Sequence, residues 1–189
     1  MQTESESASL ATKLQGIAVA FRLVGWLGFW IQLGLAAASG LALAFVVSGR
    51  NFSKETTPGI GIGIFWAVCG ILVLLFHVYL DFRYTRIARR LRQPNPDLHP
   101  KKADVIQILR LGVIVSLVGM LLTILGGGAS LGVLLAKSIA QPQGVAIYDP
   151  VRIVRALDIF VAMANVNGIA GHFVGTVASL GLLNWLHRP

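Results

Sequence analysis

The stretch Leu111–Ala136, LGVIVSLVGMLLTILGGGASLGVLLA, contains no Asp, Glu, Lys or Arg. An α-helix needs about 20 residues to cross the roughly 30 Å of bilayer hydrocarbon, and this stretch exceeds that. A buried helix of a water-soluble domain would carry a polar stripe at helical spacing, whereas here apolar residues recur on all sides. The same length test isolates three more charge-free windows, 23–49, 56–80 and 159–187. The fold class expected is all-α: a polytopic membrane protein, one integral domain over 1–189, with four transmembrane helices in a bundle and a basic connection at 81–110. Composition agrees, with 55% apolar residues, 13% charged residues and a mean hydropathy of +0.73.

The first fifteen residues, MQTESESASLATKLQ, are polar and slightly acidic. A secretory signal opens with a basic region and a short apolar core, so the first window is expected to be a retained span; no Arg-rich transit peptide precedes it. Sidedness follows from the basic residues. With four spans, both tails and the second connection share a side, which receives eleven Lys and Arg against five opposite. Both termini are therefore expected in the cytoplasm, or in the stroma of a plastid.

The net charge of +8 resides mainly in the second connection. FRYTRIARRLR is expected to continue the second helix, and PNPDLHP to break it. Arg83, Arg86 and Arg90 fall on one helical face, and together with Arg89 they form a candidate lipid or partner surface, since basic residues beside a membrane attract anionic headgroups. No nucleic-acid-binding fold or aromatic platform accompanies the charge, so no nucleic acid partner is expected. Cys69 is the single cysteine and lies inside the second span, which excludes an internal disulfide. No phosphate loop, nucleophile elbow or HExxH motif occurs, so the protein is not expected to be an enzyme. The glycines of PGIGIGIFW lack a dinucleotide-binding context and read as a site of close helix approach.

In the third window Gly112, Ser116, Gly119, Thr123, Gly126 and Ser130 recur at steps of four and three, giving one face of small residues. Lipid supplies no hydrophobic drive between helices, so such faces serve helix packing. The three adjacent glycines at Gly126–Gly128 each cost roughly 1 kcal/mol of helix propensity against Ala, and a bend or local loosening is expected there.

The fourth window opens LDIFVAMANVNGIAGHF, Leu157–Phe173. Asp158, Asn165, His172 and Ser179 follow one another at steps of seven, so they occupy one slowly drifting helix face. Gly168, Gly171 and Gly175 flank it. Unpartnered polar groups in hydrocarbon cost several kcal/mol each, so this ladder is expected to face the bundle. Candidate partners are His77 and Asp81, one turn apart on the second span, and Gln32 and Ser39 on the first; Arg22 and Arg110 lie near the membrane boundary. Asn and His hydrogen-bond across membrane helices, which gives the ladder a packing reading. Intramembrane ionisable residues also mark ion pathways, and carboxylate and imidazole ligate first-row metals. Asp158, Asn165, His172, His77 and Asp81 are accordingly the candidate metal or ion path, while Gly112, Ser116, Gly119, Thr123, Gly126, Gly171 and Gly175 are the candidate packing residues.

Two segments carry a resemblance. KKADVIQILRLGVIVSLVGMLLTILGGGASLGVLLAKSI (Lys101–Ile139) and ALDIFVAMANVNGIAGHFVG (Ala156–Gly175) resemble the C-terminal half of a chloroplast inner-envelope family with cyanobacterial members. That family is described both as a component of the inner-envelope Tic translocon and as an iron permease. The resemblance implies four α-helical spans with both ends on the stromal or cytoplasmic side. It also implies a permease acting in metal-ion transport or homeostasis, with iron or another divalent metal as substrate and no certain cofactor. The alternative it implies is a non-enzymatic component of a membrane-protein import, translocation or assembly complex. The expected setting is a cyanobacterial plasma or thylakoid membrane, with the lipid bilayer and either further copies of the chain or other membrane proteins as partners.

Overall fold

In a computed structural model of the chain, residues 2–53, 59–140 and 154–187 are described, and every element among them is helical. The helices are α1 (Gln2–Ser53), α2 (Ile60–Leu91), α3 (Lys102–Ala140) and α4 (Ala156–His187), with a single 3-10 turn at Pro96–Leu98. Only helices or closed barrels satisfy every backbone hydrogen bond inside lipid, and the apolar runs adopt the first solution. All four are long and apolar enough to cross a membrane. At 1.5 Å per residue the 32-residue α2 is about 48 Å long, so it outruns the hydrocarbon and carries its Arg-rich end beyond it.

Helix ends follow local chemistry. Gly59 precedes α2 at φ 85°, a left-handed conformation that only a residue without Cβ adopts cheaply. Arg89 and Arg90 fill the last turn of α2, where positive charge complements the helix dipole, and the prolines of PNPDLHP prevent its continuation. Asp104 occupies the first turn of α3, the mirror arrangement. α3 stays helical through Gly126–Gly128, contrary to the expected loosening. Gly126 and Gly127 are buried against neighbouring helices, and that packing offsets their low propensity.

Successive helices pack side by side, and α4 closes the ring against α1. α2 and α4 also meet across one diagonal, whereas α1 and α3 scarcely meet across the other. The bundle is inside-out relative to a water-soluble one. Its buried groups include Gln32, Ser39, His77, Asp81, Ser116, Asn165, His172 and Ser179, while Trp30, Leu41, Phe45, Leu72, Ile114 and Phe173 are exposed. An apolar exterior around a polar interior cannot persist in water, and it fits a helix bundle whose solvent is lipid. The protein is an integral membrane protein.

An apolar plug closes the Arg-rich end of the bundle, where Phe21, Leu80, Tyr84, Ile87, Val105, Leu109 and Leu182 form one cluster. Smaller clusters around Ala42 and Ala67, and around Val46 and Ile60, pack the opposite half. The polar ladder runs between these clusters.

Candidate functional site: a heptad-spaced polar ladder

Three helices share one register. Asn165, His172 and Ser179 of α4 meet Gly63, Gly70 and His77 of α2, each pair 102 residues apart in sequence. α3 joins in the opposite direction: Gly126 lies against Asn165, Gly119 against His172 and Gly112 against Ser179. A Cβ at Gly119 would lie 2.5 Å from His172 Nδ1, and one at Gly112 would lie 2.6 Å from Ser179 Oγ. The polar side chains of α4 therefore occupy the space that glycine leaves on α3. The interleaved set is reversed, with Ser116 and Thr123 of α3 filling space in front of Gly175 and Gly168 of α4. Both helices repeat every seven residues, so the match holds along their shared length.

Each level has its own hydrogen bonds. Asn165 Nδ2 donates to Gly63 O at 3.2 Å and to Val161 O at 3.0 Å. His172 Nε2 lies 3.2 Å from Gly70 O; a carbonyl accepts, so this nitrogen carries the proton. Lower still, Ser179 Oγ lies 3.4 Å from His77 Nε2 and 3.0 Å from the Tyr84 hydroxyl. His77 Nδ1 stands 3.6 Å from Asp81 Oδ2, which accepts from Gln32 Nε2 of α1 at 2.6 Å. Gly25 and Gly28 of α1 make room here, since a Cβ at Gly28 would lie 2.9 Å from Asp81 Oδ2. Ser39 of α1 donates to Ala164 O at 3.1 Å and ties the fourth helix into the site.

The opposite end differs. Asp158 Oδ2 accepts from Lys137 Nζ at 2.5 Å and from the backbone N–H of Arg155 at 3.1 Å. Asp158 and Lys137 are 3% and 6% exposed, so this is a buried ion pair at the start of α4. Asp158 reaches back to the residue before the helix, as the acidic member of a capping box does. From Asp158 to Ser179 the ladder rises about 32 Å at 1.5 Å per residue, close to the hydrocarbon thickness.

Of the residues singled out in sequence, Asn165, His172, His77 and Asp81 are fully buried along this axis, and Asp158 is buried at its far end. Gly112, Ser116, Gly119, Thr123 and Gly126 are buried on α3, with Gly171 and Gly175 buried on α4. Gly171 faces Leu74 of α2, while Gly175 faces Ser116 and His77. Arg22 and Arg110 are exposed and lie off the ladder, because long basic side chains at a membrane boundary reach outward to water. Asn167 is half-buried, beside the face and not on it. Two contacts of the ladder escaped the sequence reading: Tyr84 lies unremarked within FRYTRIARRLR, and Lys137 enters only as a charge for sidedness; an Asp just beyond the third connection was the one signal for Lys137.

Six buried polar atoms have no hydrogen-bond partner among the described residues: Gln32 Oε1, His77 Nδ1, Asp81 Oδ1, Ser116 Oγ, Asn165 Oδ1 and His172 Nδ1. The amide and carboxylate oxygens can only accept, and so can His172 Nδ1, because the other ring nitrogen holds the proton. The interior therefore offers open acceptors at successive levels, a chemistry suited to cations. They do not converge: among the described residues no group of three or more His, Cys, Asp or Glu could hold a metal ion. Any cation would meet these groups one or two at a time.

The family described as "Protein of unknown function (DUF3611)" matches residues 11–187. Among curated proteins the chain is similar to "Protein TIC 21, chloroplastic" of Arabidopsis thaliana, at 36% identity over 197 residues that cover 98% of this chain and 63% of that protein. The chain thus spans less than two thirds of that relative's length. The resemblance read from the third and fourth spans holds, and it extends over nearly the whole chain. No solved structure matches.

Proposed function

We propose a function from one premise: this chain belongs to the family described as Protein of unknown function (DUF3611). It is a permease for a metal cation, with iron as the expected substrate, and the polar ladder is its path. The observation that carries this reading is the row of open acceptors at Asn165 Oδ1, His172 Nδ1, Asp81 Oδ1 and Gln32 Oε1. Buried polar atoms are normally satisfied, and ionisable groups inside a membrane are retained against a cost of several kcal/mol. A passing cation supplies what these acceptors lack. Asp81 is the strongest point of attraction, because among the described residues its carboxyl group faces no cationic partner, only the neutral Gln32 amide and the imidazole of His77. Asp158 contributes as a clamp at the far end, since Lys137 already compensates it.

In this reading both termini and the Arg-rich connection face the cytoplasm or stroma, and no substrate is chemically changed. Four spans are few for a complete conduction path, so the working unit is a homo-oligomer. The test is iron(II) entry into proteoliposomes containing this protein alone. Uptake should depend on protein and disappear with His172→Ala and with Asp81→Asn, both checked for retained helix content by circular dichroism. Uptake by those folded variants at the unsubstituted rate would sink the assignment.

A second reading, a component of a membrane-protein import or assembly complex, rests on Gly128 and Gly132. Both are exposed on α3 with open space before them, at a spacing that lets another helix approach. It predicts no flux from the isolated protein, and crosslinks from these positions to a different membrane protein.

A further inference from the structure

We propose that the cleft between α2 and α3 at the Arg-rich end seats one anionic lipid. Its phosphate-bearing headgroup sits on Arg83, Arg86 and Arg90, and its chains run down the outer faces of the two helices. This site is separate from the ladder and does not depend on the permease reading.

The cleft holds about 490 Å³, room for a group larger than a bare inorganic ion. Tyr79, Arg83, Arg86 and Arg90 line one wall at steps of four, three and four, which keeps them on a single face of α2. The opposite wall is the first two turns of α3, through Asp104, Val105 and Ile108. Among the described residues no ion pair engages the three guanidinium groups. Arg86 lies over the Phe82 ring at 4.8 Å, a contact that leaves its N–H edge available. Asp104, the acid in the cleft, complements the positive end of α3 and makes no ion pair among the described residues. Three arginines lining one cleft beside a helix N-terminus suit a phosphate diester, since Arg pairs with phosphate through two N–H groups at once.

The walls argue for a lipid over a dissolved phosphate. Ile87, Val105 and Ile108 give the charged cleft an apolar floor. Below it the same α2 stripe continues as exposed Leu72, Leu75 and Phe76, into the hydrocarbon. Tyr79 is 51% exposed at the junction, where an amphipathic ring suits the headgroup boundary. Basic pockets between membrane helices are a recurrent headgroup site. Arg89 lines no part of this cleft, and Arg92 belongs to a different one with Leu14 and His99. The arginine cluster therefore divides into three that line this cleft and two that do not.

Native mass spectrometry of the full chain in detergent tests this, with phosphatidylglycerol, phosphatidylcholine and inorganic phosphate as probes. One phosphatidylglycerol should bind saturably and be retained over phosphatidylcholine. At about five-fold per arginine, the triple variant R83Q/R86Q/R90Q should weaken it on the order of 100-fold, while R89Q/R92Q leaves it unchanged. Ile108→Trp fills the cleft without altering charge and should also expel the lipid, which keeps the test decisive if the triple variant loses helix content. Equal loss from R89Q/R92Q would mean diffuse attraction and overturn the proposal. Equal retention of phosphatidylcholine, or displacement of the lipid by stoichiometric inorganic phosphate, would overturn it too.

Discussion

Two glycines of α3 offer a paired test of the ladder's packing. Gly119 lies beneath the His172 ring: a Cβ there would be 2.5 Å from Nδ1 and closer still to Cε1 and Nε2. Carbon atoms in contact sit about 3.5–4.0 Å apart, so Gly119→Ala forces α3 and α4 apart by about 1 Å or turns the imidazole out of its place. Overpacking of this kind costs about 1–3 kcal/mol. Turning the ring would also break the hydrogen bond from His172 Nε2 to Gly70 O, adding about 1 kcal/mol. Gly128 is on the same helix, nine residues on, with nothing within 4 Å of its Cβ position. Gly128→Ala gains helix propensity, up to about 1 kcal/mol. Equilibrium unfolding in mixed micelles should thus separate the two variants by about 2–5 kcal/mol with opposite signs.

The cause can be isolated with a third variant. Removing the ring with His172→Ala leaves a hole that the added methyl of Gly119→Ala partly fills. The double variant should therefore be more stable than the sum of the single losses, by about 1–3 kcal/mol, as neighbours that share one space behave. If Gly119→Ala and Gly128→Ala shift stability alike, or the double variant is simply additive, the interlocking of α3 and α4 through this ring is wrong.

Three further outcomes follow from individual contacts. Lys137→Met should destabilise the fold by about 3–5 kcal/mol, because it strands a buried carboxylate, whereas the double variant Lys137→Met/Asp158→Leu should recover most of that loss in the same unfolding assay. Asp81→Asn keeps the shape and the oxygen that Gln32 donates to, so thermal unfolding should show no loss beyond about 1 kcal/mol while iron entry into proteoliposomes is abolished. Tyr84→Phe deletes a single hydroxyl contact to Ser179, and should cost about 1 kcal/mol of stability with iron entry reduced less than two-fold.

Helix faces were legible in the sequence because membrane helices reveal them by exception. Asp158, Asn165 and His172 interrupt an apolar run at steps of seven, and small residues on the third window keep the same period. Those two periods are sufficient to orient α3 and α4 toward the bundle. Register between helices was not legible, since a repeat of seven permits any shift by whole heptads. The α2 repeat of Gly63, Gly70 and His77 was hidden for a related reason: two of its three members act through backbone carbonyls, which no side-chain pattern reports. Tyr84 and Lys137 were hidden by their usual roles at membrane boundaries. The α3 glycines were expected to loosen the helix because propensity is a local quantity, and the compensating contacts come from elsewhere in the bundle.

The two buried carboxylates give the ladder a direction. Asp158 has its own cation in Lys137, held at 2.5 Å, together with a backbone N–H. Among the described residues Asp81 has neither, only the Gln32 amide and the more distant His77 imidazole, and its second oxygen is open. Taking a carboxylate out of water costs several kcal/mol even after relaxation, and a neutral amide returns only part of that. The Asp81 carboxyl group sits about 6 Å below His77, on the side of the Arg-rich end. On the permease reading, a cation entering past the Lys137–Asp158 pair meets the neutral acceptors Asn165 and His172 first and the Asp81 carboxyl group last. Attraction then rises along the path, and release at the Arg-rich end must pass the apolar cluster of Phe21, Leu80 and Leu109. Replacing Asp81 by Asn removes the strongest attraction on that path, which is why iron entry is expected to be lost while the bundle itself survives.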